Sequence, residues 1–296
     1  MVKKYLSLVK FSHTIFALPF AFIGFFMGVF FEAQQKSLPM FDVLLQKQML
    51  QLFLLVLVCM VTARSAAMAF NRYLDRHFDA KNPRTAIREI PSGVIAASSA
   101  LRFVILNAII FIAATYCINP ICFYLSPVAL FVILFYSYTK RFTALCHMVL
   151  GLGLSLAPIG AYLAVTGTFA ILPVLFSCVV ICWVSGFDII YAMQDVDFDA
   201  SQNLHSIPTY LGKENALKLS VLLHIIAAAL VIVAGVIASY GYFYWEGALV
   251  FIGMLYYQHS IVSSTNLTKV NIAFMTANGI ASVIFGVHVL VALFLQ

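Results

Sequence analysis

Residues 101–140 read LRFVILNAIIFIAATYCINPICFYLSPVALFVILFYSYTK. These forty residues contain no acid, and their two cations, Arg102 and Lys140, stand at the ends. A helix of about 20 apolar residues crosses the hydrocarbon core of a bilayer, so the stretch is long enough to cross twice. Asn119-Pro120 divides it in the middle, a pair that favours a turn and does not continue a helix. The stretch therefore predicts two membrane-spanning helices, 101–118 and 121–138, joined by a tight turn.

Working outward, the same criterion finds spans at 14–31, 50–70, 146–166, 172–193, 217–242, 248–264 and 272–295, nine in all. The composition agrees: 63% of the 296 residues are hydrophobic, 9% are charged, and the mean hydropathy is +1.01. Soluble domains carry roughly 25% charged residues, too many for this chain to match. No strand-rich or long soluble insert interrupts the spans. The expectation is one all-α integral membrane domain over residues 1–296, because lipid forces each backbone group to find an internal partner. Lys3, Lys4 and Lys10 precede the first apolar run, which is read as an uncleaved first helix, since it is long enough to span and no small-residue cleavage site follows.

The net charge is +6. No basic patch stands apart from the apolar segments, so nucleic acid is not an expected partner; the lipid bilayer is. With the N-terminus in the cytoplasm, fourteen of the seventeen Lys and Arg fall on the cytoplasmic side, Lys36 and Lys47 on the other, and Arg64 inside a span. Cations concentrate in cytoplasmic loops. The expected topology therefore has the N-terminus inside and, after nine spans, the C-terminus outside. The six cysteines lie within or beside apolar runs and read as packing residues. The seven histidines are scattered and form no ligand pattern.

The acids are unevenly placed. Asp75 and Asp79 follow the second span; Asp188, Asp195, Asp197 and Asp199 close the sixth, and both groups lie on the expected cytoplasmic side. Asn71, Asp75 and Asp79 recur every four residues, a spacing that stacks them on one helix face. Asp195 and Asp199 repeat it. Like charges at that spacing repel, and a bound divalent cation would reverse the sign. Mg²⁺ is usually held by one or two carboxylates together with substrate phosphates. Acids in a loop are commonly just solvated, but two pairs at matched spacing, one extended by an Asn, point to a Mg²⁺–diphosphate site. Arg72, Arg76, Lys81, Arg84, Arg88, Lys140 and Arg141 surround it and suit phosphate. Arg64, inside a span, is costly without a partner or a cavity.

The run from Arg64 to Gly93, RSAAMAFNRYLDRHFDAKNPRTAIREIPSG, resembles the first signature of the UbiA superfamily of membrane prenyltransferases. DIIYAMQDVDFD, Asp188 to Asp199, resembles the second, and YSYTK, Tyr136 to Lys140, the family's Tyr-x-x-x-Lys element. The resemblance implies a helical bundle around a central cavity, with Asn71, Asp75, Asp79, Asp195 and Asp199 holding Mg²⁺ and diphosphate. It implies Lys140 on the diphosphate, Arg64 lining the pocket, and Asp188 near the acceptor. Arg84, Arg88, Tyr136 and Arg141 complete the candidate substrate-binding set. The chain departs from the family in Arg72, where an acid is common, in Arg88-Glu-Ile-Pro91, and in the extra Asp197.

The implied reaction moves a polyprenyl group from polyprenyl diphosphate to a hydroxyaromatic acid of the 4-hydroxybenzoate type, with Asp188 or Asp199 orienting or deprotonating the hydroxyl. The Asn-Pro-Arg-Thr-Ala and Arg-Glu-Ile-Pro runs look closer to a menaquinone-linked branch whose acceptor is 1,4-dihydroxy-6-naphthoate. Either acceptor needs a cationic anchor for its carboxylate; Arg141 is the first candidate and Arg64 the alternative. Buried charge and an apparent repeat would also suit a transporter, although transport sites are expected near the midplane, whereas these acids sit at span ends.

Overall fold

A computed structural model describes residues 2–9 and 16–296; Lys10, His13 and the expected first-span start at Thr14 lie outside them. Every regular element among the described residues is a helix. After a short α1 (Val2–Leu8) come α2 (Leu18–Lys36), a turn of helix α3 (Met40–Leu44), and α4 (Lys47–Lys81). There follow α5 (Ala97–Ile118), α6 (Pro120–Thr139), α7 (Cys146–Thr166) and α8 (Ile171–Ala192). The chain ends with α9 (Val196–Ser201), α10 (Ile207–Ile237), α11 (Tyr242–Ile261) and α12 (Asn278–Phe294).

Eight of these segments are long and apolar enough to cross a membrane among the described residues. The ninth expected span, 248–264, falls on α11, which is 20 residues long and packs along α12. It does not share the others' apolarity: Glu246, Gln258 and His259 lie along it. The count of nine spans is therefore not reproduced by length and composition alone.

The turn expected at Asn119-Pro120 is present, and its chemistry is local. Asn119 caps α6 by accepting the Cys122 N–H at 2.9 Å, and its amide donates to the Leu163 carbonyl at 2.8 Å, tying the turn to the end of α7. Helix α4 runs well past the span expected at 50–70. Its 35 residues extend about 52 Å at ~1.5 Å per residue, against a hydrocarbon core of about 30 Å. The first signature thus stays helical as far as Lys81, beyond the apolar part of α4, and its remainder to Gly93 is a run of turns.

Close helix approach fixes the bundle. A Cβ at Gly24 of α2 would lie 1.9 Å from the Pro158 carbonyl oxygen of α7, and one at Gly28 would lie 2.7 Å from the Val165 side chain. Glycines four apart let two backbones touch, the usual device where lipid removes the hydrophobic drive between helices. On the far side Phe20, Trp183, Phe251 and Phe285 form a closed aromatic core. Trp183 Nε1 and Gln258 Nε2 both donate to Asn278 Oδ1 at 2.8 Å, beside a π-helical turn at Ile272–Ala277. Helices α4, α5, α6, α7 and α8 line a central cavity of about 690 Å³.

Candidate active site

The cavity has one charged end and an apolar shaft. Asn71, Asp75 and Asp79 reach it from one face of α4, as their spacing predicts. The second signature reaches it differently. Met193–Asp195 forms a 3-10 turn between α8 and α9, so Asp195 and Asp199 are not successive turns of one continuous α-helix, yet both line the cavity. The extra Asp197 is exposed and does not line it, and His77 in the first signature is likewise exposed.

Each of the four carboxylates holds a cation. Asp75 Oδ1 lies 3.1 Å from Arg141 Nη2, Asp79 Oδ1 lies 2.6 Å from Arg88 Nη1, and Asp199 Oδ2 lies 2.8 Å from Lys140 Nζ. Arg84 clamps Asp195 with two nitrogens, Nε to Oδ1 at 3.0 Å and Nη2 to Oδ2, and also donates to the Tyr191 hydroxyl at 3.0 Å. Asn71 donates to Asp75 Oδ2 at 3.0 Å, and Arg141 Nη2 also donates to the Leu74 carbonyl at 3.0 Å. Burial alone would lower the pKa of Lys140, but the charge and hydrogen bond of Asp199 outweigh it and raise the pKa above the ordinary lysine value. Arg84 shows the same balance, burial against Asp195, with the same outcome.

The donor set suits a metal shared with a ligand. Among the described residues no three His, Cys, Asp or Glu side chains converge to cage an ion alone. Asp79 Oδ2 is nonetheless buried without a hydrogen-bond partner, and carboxylates from both signatures face one space. That is the pattern expected of Mg²⁺, which takes few protein carboxylates and fills its octahedron with phosphate oxygens and water.

Deeper in the cavity the pattern changes. Tyr136, Arg64 and Arg72 line it, and neither arginine makes an ion pair or a hydrogen bond among the described residues; Nε of each is buried and unpartnered. Asp188 lines it too, and its Oδ2 lies 2.7 Å from His147 Nδ1. Sequence reading missed His147, because 41 residues separate it from Asp188 and one histidine among seven scattered ones carries no motif. It also missed Asn82 and Tyr191, which brace the Arg84–Asp195 pair at 3.4 Å and 3.0 Å. The only available signal for these two was their place inside the quoted signatures.

Residues 17–280 match the model of the UbiA prenyltransferase family. The chain belongs to the UbiA prenyltransferase family. Its UbiA relatives include the 4-hydroxybenzoate octaprenyltransferase of Shewanella pealeana, 28% identical over 236 residues that cover 80% of this chain and 82% of that one. The enzyme of the same name from Tolumonas auensis is 30% identical over 75% of this chain and 77% of its own. Among solved structures, an apo UbiA homolog from Aeropyrum pernix K1 superposes with a TM-score of 0.81 at 28% identity, covering 94% of this chain and 97% of the other. A UbiA homolog from Archaeoglobus fulgidus, solved with GPP and Mg²⁺, shares the fold at a TM-score of 0.74 and 20% identity, over 98% and 99% of the two chains. This UbiA protein is a prenyltransferase, and the transporter reading falls away.

Proposed function

We propose that this chain transfers a polyprenyl group from polyprenyl diphosphate to the ring of a hydroxyaromatic acid of the 4-hydroxybenzoate type, as the names of its relatives suggest. The observation that carries the reading is the division of one cavity into a charged mouth, an apolar shaft and, between them, the unpaired Arg64. Each part suits one piece of the two substrates: diphosphate, prenyl tail and acceptor carboxylate.

Asp75, Asp79, Asp195 and Asp199, with Asn71, would hold Mg²⁺. When bound, Mg²⁺ neutralises charge on the diphosphate and makes it a better leaving group. Arg84, Arg88, Lys140 and Arg141 sit within reach of the same space and supply the cationic contacts that a diphosphate needs beyond the metal. The C1–O bond breaks with its electron pair leaving on the diphosphate. The electron-rich ring carbon then donates a pair to C1, and loss of the ring proton restores aromaticity. The apolar shaft excludes water from the allylic cation, which water would otherwise capture.

Arg64 is the better carboxylate anchor. Arg141, the first candidate from sequence, is already engaged by Asp75 and the Leu74 carbonyl, whereas Arg64 has no counter-ion. A buried unpaired guanidinium is costly, and an acceptor carboxylate would satisfy it. Asp188 lines the same cavity and would receive the acceptor hydroxyl. The excess of Lys and Arg on one side of the spans supports an N-terminus and a charged mouth in the cytoplasm, with the C-terminus outside if α11 crosses.

The test is product analysis. Protein in lipid nanodiscs, given Mg²⁺ and a prenyl diphosphate, should convert 4-hydroxybenzoate to a prenylated acid with release of diphosphate, read by mass spectrometry. Offering 1,4-dihydroxy-6-naphthoate in parallel decides the acceptor branch. No product with either acid would overturn the reading.

A further inference from the structure

We infer that His147 is the positioning residue of the acceptor site: it holds Asp188 in the one orientation that turns the carboxylate toward the acceptor hydroxyl. The inference rests on the acceptor site described above and adds a residue to it from outside the three signatures.

Three observations meet here. The first is the contact itself, Nδ1 to Oδ2 at 2.7 Å, short enough for a charge-assisted hydrogen bond. The second is the order of the two groups. The His147 side chain is 4% exposed and that of Asp188 23%, so the carboxylate stands in front and the imidazole behind it. Asp188 uses Oδ2 for the histidine, and Oδ1 has no protein partner among the described residues. His147 Nε2 is buried and unpartnered, and the short contact the ring makes through Nδ1 is to Asp188.

The third is that the backbone around the pair is built to hold it. The Ser185 hydroxyl donates to the His147 carbonyl at 3.1 Å, which pins the first turn of α7 to α8 one turn before Asp188. One turn further along α7, a Cβ at Gly151 would lie 2.6 Å from Ser185 Oγ and 2.7 Å from the Ile181 carbonyl oxygen. The two backbones are therefore in contact at this level, and neither helix has room to rotate the pair apart. A surface histidine resting on a nearby acid has none of these supports.

The chemical consequence is specific. A carboxylate on a helix in an apolar cavity has two rotatable bonds and several cations to turn toward. Fixed by His147, its free oxygen stays on the cavity side. There it accepts a hydrogen bond from the ring hydroxyl of the acceptor, which raises electron density at the neighbouring ring carbon that attacks the prenyl C1. Asp188 touches the substrate; His147 acts through Asp188.

The test uses the full-length protein in nanodiscs with 4-hydroxybenzoate, or the naphthoate if that is the acceptor used, and a prenyl diphosphate. His147→Leu should lower kcat on the order of 10²-fold while the KM for prenyl diphosphate stays within about twofold. His147→Asn carries an N–H close to where Nδ1 lies and should recover most of that loss; His147→Gln, whose N–H lies further out, should not. Because the two residues act as a unit, His147→Leu in an Asp188→Asn background should cost little more than Asp188→Asn alone. Wild-type turnover in His147→Leu would overturn the assignment. So would equal loss of prenyl diphosphate binding, Asn no better than Leu, or additive losses in the double variant. Wild-type protein that makes no prenylated acid at all would instead remove the acceptor reading on which the assignment rests.

Discussion

Lys140 Nζ lies 2.8 Å from Asp199 Oδ2, joining the end of α6 to the second acidic signature. The lysine is the last residue of the Tyr-x-x-x-Lys element, and the aspartate closes the second signature. These motifs neutralise each other, and the same holds for Asp75 with Arg141, Asp79 with Arg88 and Asp195 with Arg84. A Mg²⁺–diphosphate complex offers each carboxylate a cation and each cation a phosphate.

Lys140→Met should therefore raise the KM for prenyl diphosphate by about 10- to 100-fold, equivalent to roughly 1.4–2.8 kcal/mol, and leave the acceptor KM nearly unchanged. Since Asp199 raises the lysine's pKa in the folded protein, its contribution to stability is complete below the ordinary lysine value. It is lost only as pH rises through the higher folded one. The KM for prenyl diphosphate should accordingly show no Lys140-dependent limb between pH 6 and 9, measured as the wild-type to Lys140→Met ratio across pH.

Asp75→Asn, Asp79→Asn, Asp195→Asn and Asp199→Asn should each reduce turnover at least about 10²-fold, with the protein still extracted from membranes at near wild-type yield. Chelation with EDTA should abolish wild-type turnover and added Mg²⁺ restore it. Near-normal rates in two of the variants, or activity that survives chelation, would count against the metal site.

Arg64 and Arg141 separate in the acceptor assay. Arg64→Leu should raise the KM for 4-hydroxybenzoate by about 10- to 100-fold and erode discrimination against phenol, because a buried guanidinium left unpaired is what disfavours an uncarboxylated ring. Arg141→Ala, which frees Asp75, should act on the diphosphate side. The reverse pattern would return the anchor to Arg141.

Packing makes an independent prediction. Gly24→Ala drives a methyl group into the Pro158 carbonyl and should destabilise the protein by about 1–3 kcal/mol, read as a lower Tm in detergent. Gly253→Ala, where the added Cβ meets nothing within 4 Å, should be neutral or slightly stabilising. Equal effects would mean that α2 and α7 do not pack as described.

Lys81 Nζ donates to Gln202 Oε1 at 3.2 Å, so the ends of α4 and α9 share one side of the bundle. Single cysteines replacing either residue in a Cys-free background should label with a membrane-impermeant maleimide only from the cytoplasmic side. Labelling of either from outside would invert the topology.

Much of this molecule was legible along the chain. The apolar runs set the helices and the membrane, and Asn119-Pro120 marked a turn that Asn119 does cap. The four-residue spacing of Asn71, Asp75 and Asp79 placed them on one face of α4, since a single helix fixes side-chain direction by its own period. The same argument was less apt for Asp195 and Asp199, where a 3-10 turn intervenes and spacing no longer maps onto one helical face.

Tertiary structure decided which partner each charge takes. Arg84 reaches Asp195 across 111 residues, Arg141 reaches Asp75 across 66, and His147 reaches Asp188 across 41. The eight spans found among the described residues are all apolar, so hydropathy does not say which helices adjoin. That choice belongs to shape: the two glycines of α2 admit Pro158 and Val165 of α7, and Gly151 of α7 admits α8. Those close approaches surround the cavity, pair four carboxylates with four cations, and leave Arg64 and Arg72 without a counter-ion among the described residues. Apolar runs and acid spacing alone specify a helical membrane protein with two acidic signatures. Only backbone contact between particular helices decided which charges were satisfied and which were left for a ligand.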